Sequence, residues 1–216
     1  MLHWRHMEKL SVGGSIRAGW DIFKKRPLII IGAFVVAFLV SAISSALLDP
    51  EKGAPVTTAT TLMSIASAII GIFVELGLLS FTIKAHDNVE GVKIADLWNP
   101  NVFLKYLGAQ IIVGLTVVIG LILLVVPGVI AALGLMFTSY LVIDKGRGPV
   151  EAYKESWQMT KGHKWQLFLL VLAILGINIL GLIALVVGLL ATIPVSMLAM
   201  VHAYRKLSGV APVQAA

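Results

Sequence analysis

Tyr106–Ile143 reads YLGAQIIVGLTVVIGLILLVVPGVIAALGLMFTSYLVI, 38 residues without one Asp, Glu, Lys or Arg. As a single α-helix it would reach about 57 Å at 1.5 Å per residue, about twice the hydrocarbon thickness of a bilayer. The stretch must therefore fold back on itself. Pro127-Gly128 marks the bend, because proline breaks a helix and glycine permits a turn. Trp165–Tyr204, 40 residues long and almost free of charge, obeys the same arithmetic and bends between Gly188 and Pro194. Upstream, Leu28–Leu48 is long enough to cross a bilayer once. Asp49–Pro55 is a short turn, and Thr60–Ile83 returns. The expectation is an all-α, polytopic membrane protein of six transmembrane helices arranged as three hairpins, with approximate spans 28–48, 60–83, 106–126, 129–143, 165–187 and 191–204.

Charge placement gives an orientation. Of 17 Lys and Arg, 16 fall in four segments that the six-helix reading puts on one side, and Lys52 alone falls on the other. Short cytoplasmic loops collect Lys and Arg, so both ends are expected in the cytoplasm. A single span in place of either long hairpin would strand part of this basic set outside. Residues 1–27 form a basic, amphipathic cytoplasmic segment, 28–207 a single helical membrane domain, and 208–216 a flexible cytoplasmic tail. The polar, basic stretch before Leu28 precedes a full-length apolar segment with no convincing small-residue cleavage site behind it, so Leu28–Leu48 reads as a retained anchor rather than a cleavable signal.

Composition narrows the chemistry. Hydrophobic residues make up 58% and charged residues 13%, well outside the soluble average. The net charge of +6 is spread over membrane-flanking loops rather than gathered on one face, which argues against nucleic acid as a partner. It favours anionic inner-leaflet lipids, at about 1 kcal/mol per basic residue near the surface. With no cysteine there is no disulfide, thiolate chemistry or Cys-ligated metal. His3, His6, His86 and His163 lack metal-binding spacing, and His202 reads as an interface histidine, so no metal and no cofactor is expected.

Each hairpin is preceded by an amphipathic segment expected to lie at the inner surface: Ser15–Arg26, Gly91–Phe103 and Pro149–Lys161. Trp20/Lys24 and Trp157/Lys161 share a spacing, as do Pro127/Phe137 and Pro194/Tyr204, which suggests an internal triplication. In the third segment Val150, Tyr153, Trp157 and Thr160 fall on one helical face, with Lys161 and Trp165 following. Such a helix is expected to lie flat at the interface with its aromatics at headgroup depth.

The order Val126-Pro127-Gly128, Tyr140, Asp144, Ala152-x3-Ser156, Lys161-Gly162, Trp165, Phe168, Gly188, Pro194, Tyr204 resembles uncharacterised bacterial integral-membrane proteins. These are related to the membrane domain attached to some glycerophosphodiester phosphodiesterases. The resemblance covers roughly residues 91–207. It implies a multi-helix module of a bacterial plasma membrane; the hydrolytic chemistry of that family belongs to a separate soluble domain.

Candidate polar chemistry inside the spans is sparse. Glu75 is the one carboxylate well inside a predicted span, at the end of a stripe of small residues (Ser64, Ser67, Ala68, Gly71). Asn178 and Gln110 are its candidate partners, as helix-packing hydrogen bonds or as parts of an ion or proton site. Ala33, Ala37, Ser41 and Ser45 recur every four residues, a ridge that lets helices approach closely within the bundle or in a partner. Asp87, Glu90, Asp96 and Asp144 read as solvated loop carboxylates, and no catalytic motif is present. The leading expectation is a non-enzymatic protein acting through helix association, as an accessory, scaffold or assembly subunit bound to a protein partner or to copies of itself. The alternatives are a small solute or ion transporter or channel using Glu75, and a lipid-binding or lipid-handling protein.

Overall fold

The computed structural model describes residues 10–50, 55–184 and 187–209. Arg5, Lys9, His3 and His6, the outer residues 51–54 with Lys52, and the tail from 210 lie outside the described residues. Among the described residues the chain is entirely helical: α1 (Val12–Lys25), α2 (Pro27–Leu48), α3 (Thr58–Asp87), α4 (Phe103–Leu123), α5 (Val125–Leu135), α6 (Thr138–Lys145), α7 (Pro149–Met159), α8 (Lys164–Ile183) and α9 (Leu189–Ser208), with short 3₁₀ turns at Ile94–Leu97 and Pro100–Val102.

Five segments are long and apolar enough to cross a membrane: Pro27–Leu48, Thr58–Asp87, Ile94–Leu123, Val125–Lys145 and Lys164–Ile183. This is the make-up of a multi-pass membrane protein. The local signals agree with these bounds. The Ser11 hydroxyl accepts from the Gly14 amide at the start of α1, and Thr57 with Thr60 forms a capping box at α3, satisfying amides that a helix start leaves open. Pro27 occupies the first turn of α2, where its missing N–H costs nothing.

The first hairpin bend falls earlier than Pro127-Gly128. The backbone becomes extended at Leu124, and Pro127 sits inside the first turn of α5, a position where its fixed φ favours a helix. Glycine instead lets the two arms meet, since a methyl on Gly120 would come within 2.9 Å of the Gly128 Cα. The second bend repeats the device: the Gly181 oxygen would lie 2.5 Å from a methyl on Gly188. Here α8 ends at Ile183 and α9 begins at Leu189, so Pro194 lies within α9 rather than at the bend. That proline lacks the N–H that would otherwise pair with the Leu190 carbonyl one turn back.

Burial is concentrated at the end of the bundle that carries the basic residues. The last turns of α3, the first of α4 and α8, the ends of α5–α6 and the second half of α9 supply Leu76, Tyr106, Phe137, Leu141, Leu167, Leu198 and Tyr204, all at most 1% exposed. Away from that end the helices spread. Only 22% of the apolar window of Pro27–Leu48 is buried, 17% of Thr58–Asp87, 11% of Ile94–Leu123 and 17% of Lys164–Ile183, against 50% for Val125–Lys145.

The inner-surface segments differ from expectation. α1 does lie beside the membrane domain, but Ser15, Gly19 and Phe23 are buried along α9. Gly91–Phe103 is no amphipathic helix. It folds back along α3, with the Leu97 carbonyl against Gly77, because Asp96 accepts from the Lys93 amide at 2.8 Å and from Lys84 at 2.9 Å and so stops the chain in short turns. In α7 the buried face is Ala152, Ser156 and Thr160, each at 0%, while Val150 is exposed. Small side chains let α7 reach Gly134, whose carbonyl accepts from both Ser156 Oγ and Thr160 Oγ1 at 3.0 Å. The aromatic face is left at the rim.

Candidate functional site

Two polar sites result from this packing. The larger is built where the C-terminal ends of three helices meet. Asp87 is the last residue of α3 and Asp144 the last but one of α6, so each carboxylate sits at the negative end of a helix dipole, an unfavourable place for an anion. Arg205, near the end of α9, answers both. Its Nε donates to Asp87 Oδ1 at 3.0 Å and its Nη2 to Asp87 Oδ2; Nη1 and Nη2 donate to Asp144 Oδ2 and Oδ1 at 2.6 and 2.7 Å. The Tyr204 hydroxyl adds a 2.6 Å bond to Asp144 Oδ2. On the far side of Asp87, His86 Nδ1 lies 3.3 Å from Oδ1, and His86 Nε2 lies 3.3 Å from His202 Nδ1.

The guanidinium is therefore spent on protein carboxylates, in the planar two-sided geometry at which arginine excels. Its side chain is 6% exposed and that of His86 2%. Chemically this is a staple joining α3, α6 and α9, with a histidine pair attached. Reading Asp87 and Asp144 as solvated loop residues is thus corrected: their partners are 118 and 61 residues away, beyond the reach of any local pattern. His202 is part of this network. The sequence signal that existed was two acidic residues ending helices of otherwise apolar character.

The smaller site lies between α3, α4 and α6. Gln110 Nε2 donates to Glu75 Oε1 at 3.0 Å and to the Tyr106 hydroxyl at 3.1 Å. Tyr106 also interacts with Glu75 and Ser139, and Tyr140 lies close enough to feel the Glu75 charge. Asn178 is elsewhere: it donates to Ser196 Oγ and to the Ile174 carbonyl at 3.0 Å each, tying α8 to α9.

The remaining candidate residues are placed as follows. Ala33 and Ala37 are buried, Ser41 is half-buried and Ser45 is exposed, donating to Asp49. The ridge thus faces the protein at one end and leaves it at the other. Two apolar crevices of about 580 and 500 Å³ flank α2 and meet at Ala37 and Val74. In and after α7, Tyr153 is half-buried, Lys161 and Trp165 are exposed, and Lys164 Nζ sits 3.6 Å over the Trp157 ring. Glu155 fastens the Lys145–Gly148 loop through Lys145 at 2.8 Å and Arg147 at 3.0 Å. Burial works against its ionisation, but those two cations hold its carboxyl below the usual glutamate range. Among the described residues no group of three or more His, Asp or Glu is arranged to hold a metal ion.

Residues 108–211 match a family model described as a protein of unknown function (DUF975). The chain is 30% identical over 149 residues to uncharacterised proteins of Mycobacterium bovis and Mycobacterium tuberculosis, a stretch that covers 67% of this chain and 44% of theirs. It therefore spans less than half the length of these curated relatives. No solved structure matches.

Proposed function

We propose that the protein is a non-enzymatic, multi-pass component of a bacterial cytoplasmic membrane that acts through helix association, as an accessory or assembly subunit. The observation that carries this reading is the spread of the spans. Four of the five bury less than a quarter of their apolar windows, although the basic end holds a buried core. Helices in lipid gain stability from close packing rather than from hydrophobicity. The crevices beside α2 are shaped to receive further helix surface, and the Ala33–Ser45 ridge runs into them.

In this reading α9 is the sixth span and the three hairpins keep both ends in the cytoplasm. The 16-to-1 division of basic residues supports that orientation, as do the two glycine-lined bends. The basic end then rests on the anionic inner leaflet. The test is the mass of the particle extracted from its native membrane in mild detergent. A stoichiometric second chain is expected. A monomer without a partner that moves a solute would overturn the reading.

A further inference from the structure

Nearly every carboxylate packed into the basic end has a cation beside it. Asp87 and Asp144 share Arg205, Asp96 takes Lys84, and Glu155 takes Lys145 and Arg147. Glu75 differs. It lies 12 residues before Asp87 on α3, about 18 Å further along the bundle, and no ion pair joins it among the described residues. It is exposed on the surface of α3, in a segment apolar enough to be surrounded by lipid.

An ionised carboxylate inside a bilayer is costly unless it is compensated. A hydrogen bond to a charged group returns part of that cost. The Gln110 bond thus offsets part of the cost while leaving the charge uncompensated. The groups facing Glu75 do not supply a cation: α4 presents Tyr106 and Gln110, α6 presents Ser139 and Tyr140, and α2 has no charged residue. Lys84 is held by Asp96 and Lys105 by the Gly146 carbonyl.

The neighbours decide what does supply it. A metal cation requires a shell of oxygen acceptors. Here an amide N–H points at the carboxylate, and the Tyr106 oxygen is already accepting from that same amide. A shell of donors suits an anion or a neutral acid. A proton needs only the second carboxyl oxygen. We propose that Glu75 is a reversible protonation site inside the membrane, which takes up and releases a proton at the surface of α3 while Gln110 holds its Oε1. Neutral, this surface is compatible with lipid; ionised, it demands water. Proton binding would then set what the α3 surface at Glu75 can face, whether the protein associates or transports.

Dicyclohexylcarbodiimide tests this on the full chain in lipid vesicles. It reacts with a protonated carboxyl in an apolar setting: the acid proton moves to a carbodiimide nitrogen, the carboxylate oxygen bonds the central carbon, and the adduct rearranges to a stable N-acylurea with no atom lost. The expected result is one adduct per chain, mapped to Glu75 and absent in Glu75→Gln. Its rate should fall about tenfold per pH unit on the alkaline side of the titration, and sodium ions should not affect it. No adduct at Glu75 from acid to alkaline pH would overturn the proposal, as would a pH-independent rate, the mark of a permanently neutral acid. Protection by sodium would overturn it in favour of a metal-cation site.

Discussion

At the scale of single residues, Arg205 settles the geometry of the basic end. Its worth is asymmetric. Burying an ion pair gains little over a well-packed apolar cluster, but deleting one partner of such a pair costs about 3–5 kcal/mol because a charge is left without compensation. Arg205→Met is therefore expected to lower stability by that amount, read as a fall in the unfolding midpoint in detergent. Replacing Asp87 and Asp144 with Leu in the same chain should restore much of the loss. A single variant as stable as the parent would show that the staple is decorative. None of this could be read along the chain. Lys84, Asp87 and Asp144 stand at or near helix ends, where charge is commonplace in membrane proteins; which ends meet is a matter of tertiary packing. Glu75 was easier, because one carboxylate in an apolar run stands out by cost alone, and Gln110 was among the few polar side chains able to answer it.

At the scale of elements, α1 and α9 show how closely backbones approach when a side chain is missing. A methyl on Gly19 would lie 2.6 Å from the Val195 carbonyl oxygen and 2.9 Å from the Ala199 nitrogen, both immobile backbone atoms. Glycine to alanine inside a helix normally gains about 0.5–1 kcal/mol. Overpacking costs about 1–3 kcal/mol, so at Gly19 the sign reverses. Gly19→Ala is expected to destabilise the protein by about that net difference and to loosen α1 from α9. Gly114→Ala, with open space around it, should stay within about 0.5 kcal/mol of the parent. Circular dichroism melts of the two variants make the comparison, and equal midpoints would refute the close approach. Element lengths were well legible: Leu28–Leu48 as expected is Pro27–Leu48 as found. Element faces were less so. The aromatic stripe of α7 drew attention away from Ala152, Ser156 and Thr160, whose merit is smallness, a property that periodicity of hydrophobicity does not register.

At the scale of the whole molecule, the absence of cysteine makes topology directly measurable. Single cysteines at Val56, in the turn between α2 and α3, and at Lys161, after α7, are both exposed positions. In intact cells a membrane-impermeant maleimide is expected to label Val56→Cys, and to reach Lys161→Cys only after permeabilisation. Labelling of both from outside would remove the six-span arrangement. The hydropathy arithmetic expected six spans, and five segments among the described residues are long and apolar enough to cross, a near agreement that comes from bilayer thickness being a fixed ruler. It missed the uneven closure of the bundle, since nothing in a 20-residue apolar run says whether lipid or protein surrounds it. That closure rests on α9, which buries against α1 and α3 and brings Arg205 to its carboxylates. During synthesis α9 leaves the ribosome after all the other helices described. Until it arrives, α1 has no groove to lie in, and Asp87 and Asp144 stand without a counter-charge. A chain arrested before residue 205 is thus an inserted but unlatched intermediate, and membrane proteases that survey nascent chains would meet it with its latch open.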